Sequence, residues 1–354
     1  MPSEFDLIRQ FFTRPPRHTL LGVGDDAALI APTPGQVLAV STDALVEGTH
    51  FLPDTDPEAL GWKTLAVNVS DMAAMGANPR WATLAITLPS PSGATAVYPT
   101  TGFAQPVGST GAEQCSAKPL LRPAPTFSTS EWLDAFTRGF FACADAFGID
   151  LIGGDTTRGP RAFCVTIMGE IPAGQALRRD GAHPGDSVWI SGTPGRAALG
   201  LAHLQGRTVL TEPKLTTCLT ALHRPQPRVM LGLALRGLAS AAIDISDGLL
   251  ADLGHILAAS QCAARLRIPG LPPAGLARDC YLAGGDDYEL LFTAPAAQDG
   301  KIAALANELG LPLTRIGEIV AAMPETLPPG ALRLCDDTGA DITPMHRGYD
   351  HFAR

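Results

Sequence analysis

The 354-residue chain has no two cysteines in C-x-x-C spacing and an odd total of seven, at 115, 143, 164, 218, 262, 280 and 335. Scattered in this way they suit neither a disulfide framework nor a zinc site, and are expected as free thiols in a reducing compartment. A basic stripe is also missing. Lys and Arg total 26 against 35 Asp and Glu, a net charge of −9, which argues against nucleic acid or an anionic membrane as the main partner. No uninterrupted apolar run is long enough to span a bilayer, since Val229 to Ile243 is broken by Arg236. No basic segment followed by an apolar one opens the chain, so a cytoplasmic location is expected. Four catalytic signatures are absent as well: G-x-x-x-x-G-K-[ST], the H-R-D and D-F-G pair, G-x-S-x-G and H-E-x-x-H. Walker-type nucleotide binders, protein kinases, α/β-hydrolases and zincins drop out with them.

With 45% apolar and 17% charged residues, the chain can build a large core, and its length suits two domains. Helices are expected at 5–13, 57–75, 131–147, 196–205, 227–239, 248–259 and 299–309 from apolar spacing and from Pro and Gly at the ends. Strands are expected at 36–42 (buried and ending at Asp43), 81–88, 149–152, 162–170, 187–191, 241–245, 289–293 and 313–319. Strands and helices mixed through both halves give an α/β or α+β class. The Pro-, Gly- and charge-bearing stretch 171–185 is the expected junction, dividing the chain into 1–171 and 172–354. Residues 90–130 hold six Pro, four Gly and only three charges in 41 positions. Neither structural period is present there, so this stretch is expected to be a disordered surface insertion, with a functional lid as the other reading.

Acidity is unevenly supplied, with 24 Asp against 11 Glu. Nine of the Asp fall in six short segments: Gly22-Val-Gly-Asp-Asp26, Ser41-Thr-Asp43, Asn68-Val-Ser-Asp71, Gly153-Gly-Asp155, Asp244-Ile-Ser-Asp247 and Gly284-Gly-Asp-Asp287. Any one Asp could be a helix cap or a turn former. Six sites of one flavour point further, because clustered carboxylates need a compensating cation. Oxygen donors without His or Cys favour magnesium over zinc.

These segments, with Leu65-Ala-Val-Asn-Val-Ser-Asp-Met-Ala-Ala-Met-Gly-Ala, Leu151-Ile-Gly-Gly-Asp-Thr-Thr-Arg-Gly-Pro and Gly285-Asp-Asp-Tyr-Glu-Leu, resemble the thiamine-monophosphate kinase family. The resemblance keeps its order from residue 4 to Gly348-Tyr-Asp-His-Phe and covers nearly everything except 90–130. It implies the two-domain α/β fold of the aminoimidazole ribonucleotide synthetase superfamily, homodimeric through N-terminal strands that form a barrel. It also implies ATP-dependent conversion of thiamine monophosphate to thiamine diphosphate by direct in-line transfer, assisted by several Mg2+ ions and without a protein base. By position, Asp26, Ser41, Thr42, Asp43, Asp71, Asp155, Asp244 and Asp247 match metal ligands. Gly154, Asp155, Arg179 and Ser246 match ATP contacts, and His50, Asp286 and Tyr349 match substrate contacts. At 286 the family often has Glu, which is one methylene longer.

Other members of the superfamily fit less well. A selenophosphate synthetase would want a reactive Cys near its N-terminal glycine loop, and residues 1–30 have none. The hydrogenase-maturation relative would want a C-terminal Cys, whereas this chain ends His-Phe-Ala-Arg. A purine-pathway synthetase and a non-catalytic nucleotide or metal sensor stay open as readings, although a sensor needs fewer ligands.

Overall fold

The computed structural model describes residues 4–89, 128–323 and 325–349. Strands β1 (Gln36–Val46), β2 (Asn78–Leu88), β3 (Asp150–Arg158) and β4 (Ala162–Pro172) form one sheet in the order β1-β4-β2-β3. Strand β4 is antiparallel to both neighbours, whereas β2 and β3 are parallel. The second half builds a six-stranded sheet from β5 (Asp186–Ser191), β6 (Ala241–Asp244), β7 (Ala263–Leu266), β8 (Leu290–Pro295), β9 (Leu313–Val320) and β10 (Leu332–Leu334). Its order is β10-β7-β9-β5-β8-β6, antiparallel except at the β10–β7 edge. Neither sheet closes on itself, and helices between the strands complete a mixed α/β, two-domain arrangement.

Both halves converge on the helix Pro57–Ala74. Asp56 caps its start by accepting the Ala59 N–H, Pro57 occupies the first turn, and 15 of its 18 residues are buried. A helix apolar on nearly every side belongs between layers rather than on a surface. The helix Thr129–Phe147 crosses it at backbone contact distance: a Cβ at Gly61 would sit 1.9 Å from the Phe136 carbonyl oxygen, and one at Gly139 would sit 1.7 Å from that of Glu58. The C-terminal half meets this helix too: the Trp62 indole donates to the Pro225 carbonyl at 2.7 Å, and Arg236 donates to the Gly76 carbonyl at 2.6 Å.

Several expected boundaries move. Strand β1 does not stop at Asp43, because β4 supplies partners as far as Val46↔Ala162. Nor is it buried throughout: it is an edge strand whose residues alternate, leaving Leu38, Val40 and Val46 exposed on the outer face. The helix expected at 131–147 begins at Thr129, with Ser128 and Glu131 forming a reciprocal capping box and Gly148 closing it in a left-handed turn. Residues 128–130 therefore cap and begin this helix, and the rest of the 90–130 stretch lies outside the described residues. The helix expected at 227–239 is only Val229–Ala234, because turns follow it. Helices Lys214–His223 and Leu276–Ala283 and strands β7 and β10 were not expected. Among the described residues, no helix is long and apolar enough to cross a membrane.

Candidate active site

Alternation along β1 sorts its polar residues between two faces. Ser41 and Asp43 point toward the helix Pro57–Ala74, where the Ser41 hydroxyl donates to Asp71 at 2.5 Å and the Asp43 N–H donates to the Asn68 side chain at 3.1 Å. Thr42 takes the outer face, with its hydroxyl 2.8 Å from that of Thr166. Ser70, next to Asp71 on the same helix, donates to Asp244 at 2.6 Å and so ties the helix to the end of β6.

The loop after β6 is folded by Asp252, a buried carboxylate that accepts the N–H groups of Ser246, Asp247 and Gly248 at 3.0–3.2 Å. Tyr349 reaches the same loop, donating its N–H to the Asp247 carbonyl at 2.9 Å. The Gly284-Gly285 segment packs on it as well. A Cβ at Gly285 would sit 2.2 Å from the Ser246 carbonyl oxygen, so the backbone approach requires glycine. The Asp286 N–H then donates to that carbonyl at 2.8 Å.

These elements enclose a cavity of about 380 Å³. Asp43, Asp71, Asp244 and Asp247 stand at one end, and Leu45, Phe51, Val67, Leu201 and Leu222 supply apolar wall. His50, Ser246, Asp286, Tyr288 and Tyr349 also line it. The acids disfavour one another's charge. Burial first, then the charge of Asp71, pushes Asp43 up to about 7. Asp244 rises to about 8 for the same two reasons. Burial also raises Asp71, against the opposing pull of the Ser41 hydroxyl and the Arg179 guanidinium. An all-oxygen set of this kind, short of positive charge, fits a hard divalent cation. The His50 ring accepts the Val46 N–H at Nδ1, at 3.0 Å, which leaves Nε2 as the protonated nitrogen of the neutral ring.

Asp26, Gly154 and Asp155 line a different cavity, of about 630 Å³, together with Gly24, Phe12 and Ile86. Strand register explains the separation. Asp43, Val165, Leu84 and Gly154 form one row across the four strands, so Asp43 and Gly154 stand about 14 Å apart at ~4.8 Å per strand. Asp155 belongs to the next row, with Ala85, Cys164 and Ala44, and therefore faces outward. The structure thus brings together Ser41, Asp43, Asp71, Asp244, Ser246, Asp247, His50, Asp286 and Tyr349, with Arg179 near enough to act on Asp71. Thr42, Asp26, Gly154 and Asp155 lie elsewhere in the chain. Asp287 takes the capping role open to any Asp: it accepts the Gly195 and Ala197 N–H groups at 2.5 and 3.2 Å, at the start of the helix Arg196–Leu204.

Sequence reasoning missed Lys63, Tyr288 and His223, which also line the first cavity. Lys63 had a usable signal, a lysine inside the apolar run Leu60 to Val67, since lysine is almost never fully buried without a partner.

Two family models cover most of the chain: AIR synthase related protein, N-terminal domain, over residues 24–171, and AIR synthase related protein, C-terminal domain, over 183–327. A curated thiamine-monophosphate kinase from Salmonella typhimurium strain LT2 is 42% identical over 99% of this chain and 98% of its own length. The crystal structure of thiamine-monophosphate kinase from Stenotrophomonas maltophilia K279a superposes with a TM-score of 0.72 at 44% identity, covering 90% of this chain and 91% of that one. AaThiL complexed with AMPPCP and TMP superposes with a TM-score of 0.68 at 27% identity, covering 93% and 92%.

Proposed function

The chain belongs to the thiamine-monophosphate kinases within the AIR synthase related family, and from that membership we propose how its own residues carry out ATP-dependent phosphorylation of thiamine monophosphate. The observation that carries the reading is the convergence of Asp43, Asp71, Asp244 and Asp247 at one end of a cavity with apolar and aromatic walls. A phosphate monoester is already largely deprotonated near neutral pH, its second pKa being about 6, so the acceptor oxygen needs no protein base. What remains is to neutralise and align two mutually repelling phosphate groups. Mg2+ bound by the carboxylates would supply that neutralisation.

Each side chain has a place in this reading. Asp43, Asp71, Asp244 and Asp247 hold the cations, and the Ser41 hydroxyl fixes the orientation of Asp71. Arg179 and Ser246 meet the nucleotide phosphates. His50 offers a donor to the acceptor substrate, and Tyr349 offers a ring to its heterocycles. Asp26, Gly154 and Asp155 serve the nucleotide and its cations at the second cavity, and Thr42 does so from the outer face of the first sheet.

A homodimer accompanies the proposal. The outer face of β1 exposes Leu38, Val40 and Val46 beside Thr42, and that sheet face also carries Asp155. Pairing two such faces would bury the apolar residues and enclose both polar ones. We also propose a division into domains at 171/172 and a cytoplasmic location, the latter supported by six unpaired cysteines among the described residues.

The test is ADP release from the purified protein. Turnover is expected only when ATP, Mg2+ and thiamine monophosphate are all present, with thiamine diphosphate formed in equal amount. ADP release without thiamine monophosphate, or none with it at saturating Mg2+, would refute the proposal.

A further inference from the structure

Lys63 is one of four lysines in a chain with 22 arginines, and its side chain is only 3% exposed. It sits two turns before Asp71 on the central helix, about 12 Å along the axis at 1.5 Å per residue. Its Nζ lies 2.5 Å from one carboxylate oxygen of Asp286, across 223 residues of sequence. The Tyr288 hydroxyl donates to the other oxygen at 2.9 Å. Asp286 itself holds a left-handed backbone conformation (φ 73), unusual for a residue with a side chain, and so does Tyr288 (φ 54). Both oxygens of Asp286 are therefore engaged and its charge is matched. In this arrangement Asp286 does not attract a cationic ring as a bare carboxylate would.

We propose that Lys63 is the positioning residue of the substrate end of the site, clamping Asp286 and the Gly284–Asp287 loop to the helix that carries Asp71. The inference rests on the kinase reading and deepens it. The clamp spans the two halves of the chain, and it sets the distance between the substrate wall and the acidic end of one cavity. Burial first, then the nearby Lys63 charge, lowers the basicity of His223, which favours its neutral imidazole. The polar wall facing the substrate thus contains one matched ion pair and one neutral ring, rather than an isolated acid.

A double-mutant cycle on the full-length protein tests this, using Lys63→Met, Asp286→Asn and the pair, read by thermal unfolding and by steady-state kinetics. Each single variant is expected to raise KM for thiamine monophosphate by roughly ten- to a hundredfold, the range of a lost hydrogen bond to a charged group. KM for ATP should change by less than about threefold, and the double variant should be no worse than the poorer single. Lys63→Gln, which keeps a donor, should recover part of the loss. Additive effects in both readouts would overturn the clamp. Coupling in unfolding with KM for ATP rising equally would mean that the pair merely holds the fold, which overturns the positioning role. Absence of thiamine monophosphate binding by the unmodified protein, measured by calorimetry, would instead overturn the kinase reading itself.

Discussion

Replacing Asp71 by Asn should stabilise the metal-free protein while removing its activity. In the structure Asp43 is pushed up to about 7 from 3.8, with burial as the first cause and the Asp71 charge as the second. One pKa unit corresponds to about 1.4 kcal/mol, so the whole shift represents on the order of 4 kcal/mol of resistance to ionising Asp43. Asp71 is the second of these causes, so neutralising it returns part of that resistance, on the order of 1 kcal/mol above pH 7. Asp244 feels Asp71 too, which adds in the same direction. Asn keeps an oxygen that can accept the Ser41 hydroxyl, so the local packing survives. For a chain of this size, a gain of ~1 kcal/mol raises the melting temperature by roughly 1–2 °C. Scanning fluorimetry in EDTA at pH 8 would read it. Adding Mg2+ should then stabilise the parent more than the variant, because ligand that binds only the native state adds RT ln(1 + [L]/Kd). Turnover should fall on the order of a thousandfold. A variant that melts lower than the parent in EDTA, or that keeps near-normal turnover, would refute the picture of a mutually repelling carboxylate cluster that needs a cation.

Asp43 and Asp244 are raised, so in the metal-free protein their contribution to stability is complete below pH ~4 and is lost as pH rises through about 7 and 8. Mg2+ affinity should accordingly increase from pH 6 to 8, with protons released on binding, which calorimetry in buffers of different ionisation enthalpy would detect. Gly61→Ala puts a methyl 1.9 Å from the Phe136 carbonyl oxygen. It should cost ~3 kcal/mol or more and melt the protein markedly lower, with Gly139→Ala behaving alike. Val40→Glu places a charge on the outer face of β1, where Val40 is 61% exposed. Under the proposed pairing of these faces, light scattering should report a dimer for the parent and a monomer for the variant, with the fold by circular dichroism unchanged.

The strands and helices that sequence made legible are those with long periodic patterns, such as Pro57–Ala74 with its proline start and Gly76 stop. Three-residue β10 and four-residue β7 carry too few positions to show a period, and their pairing is decided by the neighbours they meet. The end of β1 was misplaced because Asp43 reads as a loop residue, whereas its N–H finds Asn68 and its backbone pairs with Val165. Composition marked the aspartates but could not sort them. Only the fold separates Asp287, which caps a helix, from Asp286, which faces the cavity. Nor could spacing show that Asp155 and Asp43 stand on opposite faces of one sheet, since that depends on the register of the two strands between them. The Lys63–Asp286 pair joins residues 223 positions apart, beyond the reach of any local pattern.

The central helix sends Lys63 to Asp286, Asn68 to β1, Ser70 to Asp244 and Asp71 to Ser41. A single rod is thus the common ruler for both ends of the cavity and for both halves of the chain. Half of this protein expressed alone would have its share of the carboxylates and nothing to measure them against. Activity should reappear only on docking of the halves, in step with burial of that rod. Engineering that shifts the helix by even one residue would mis-set every contact together instead of tuning one.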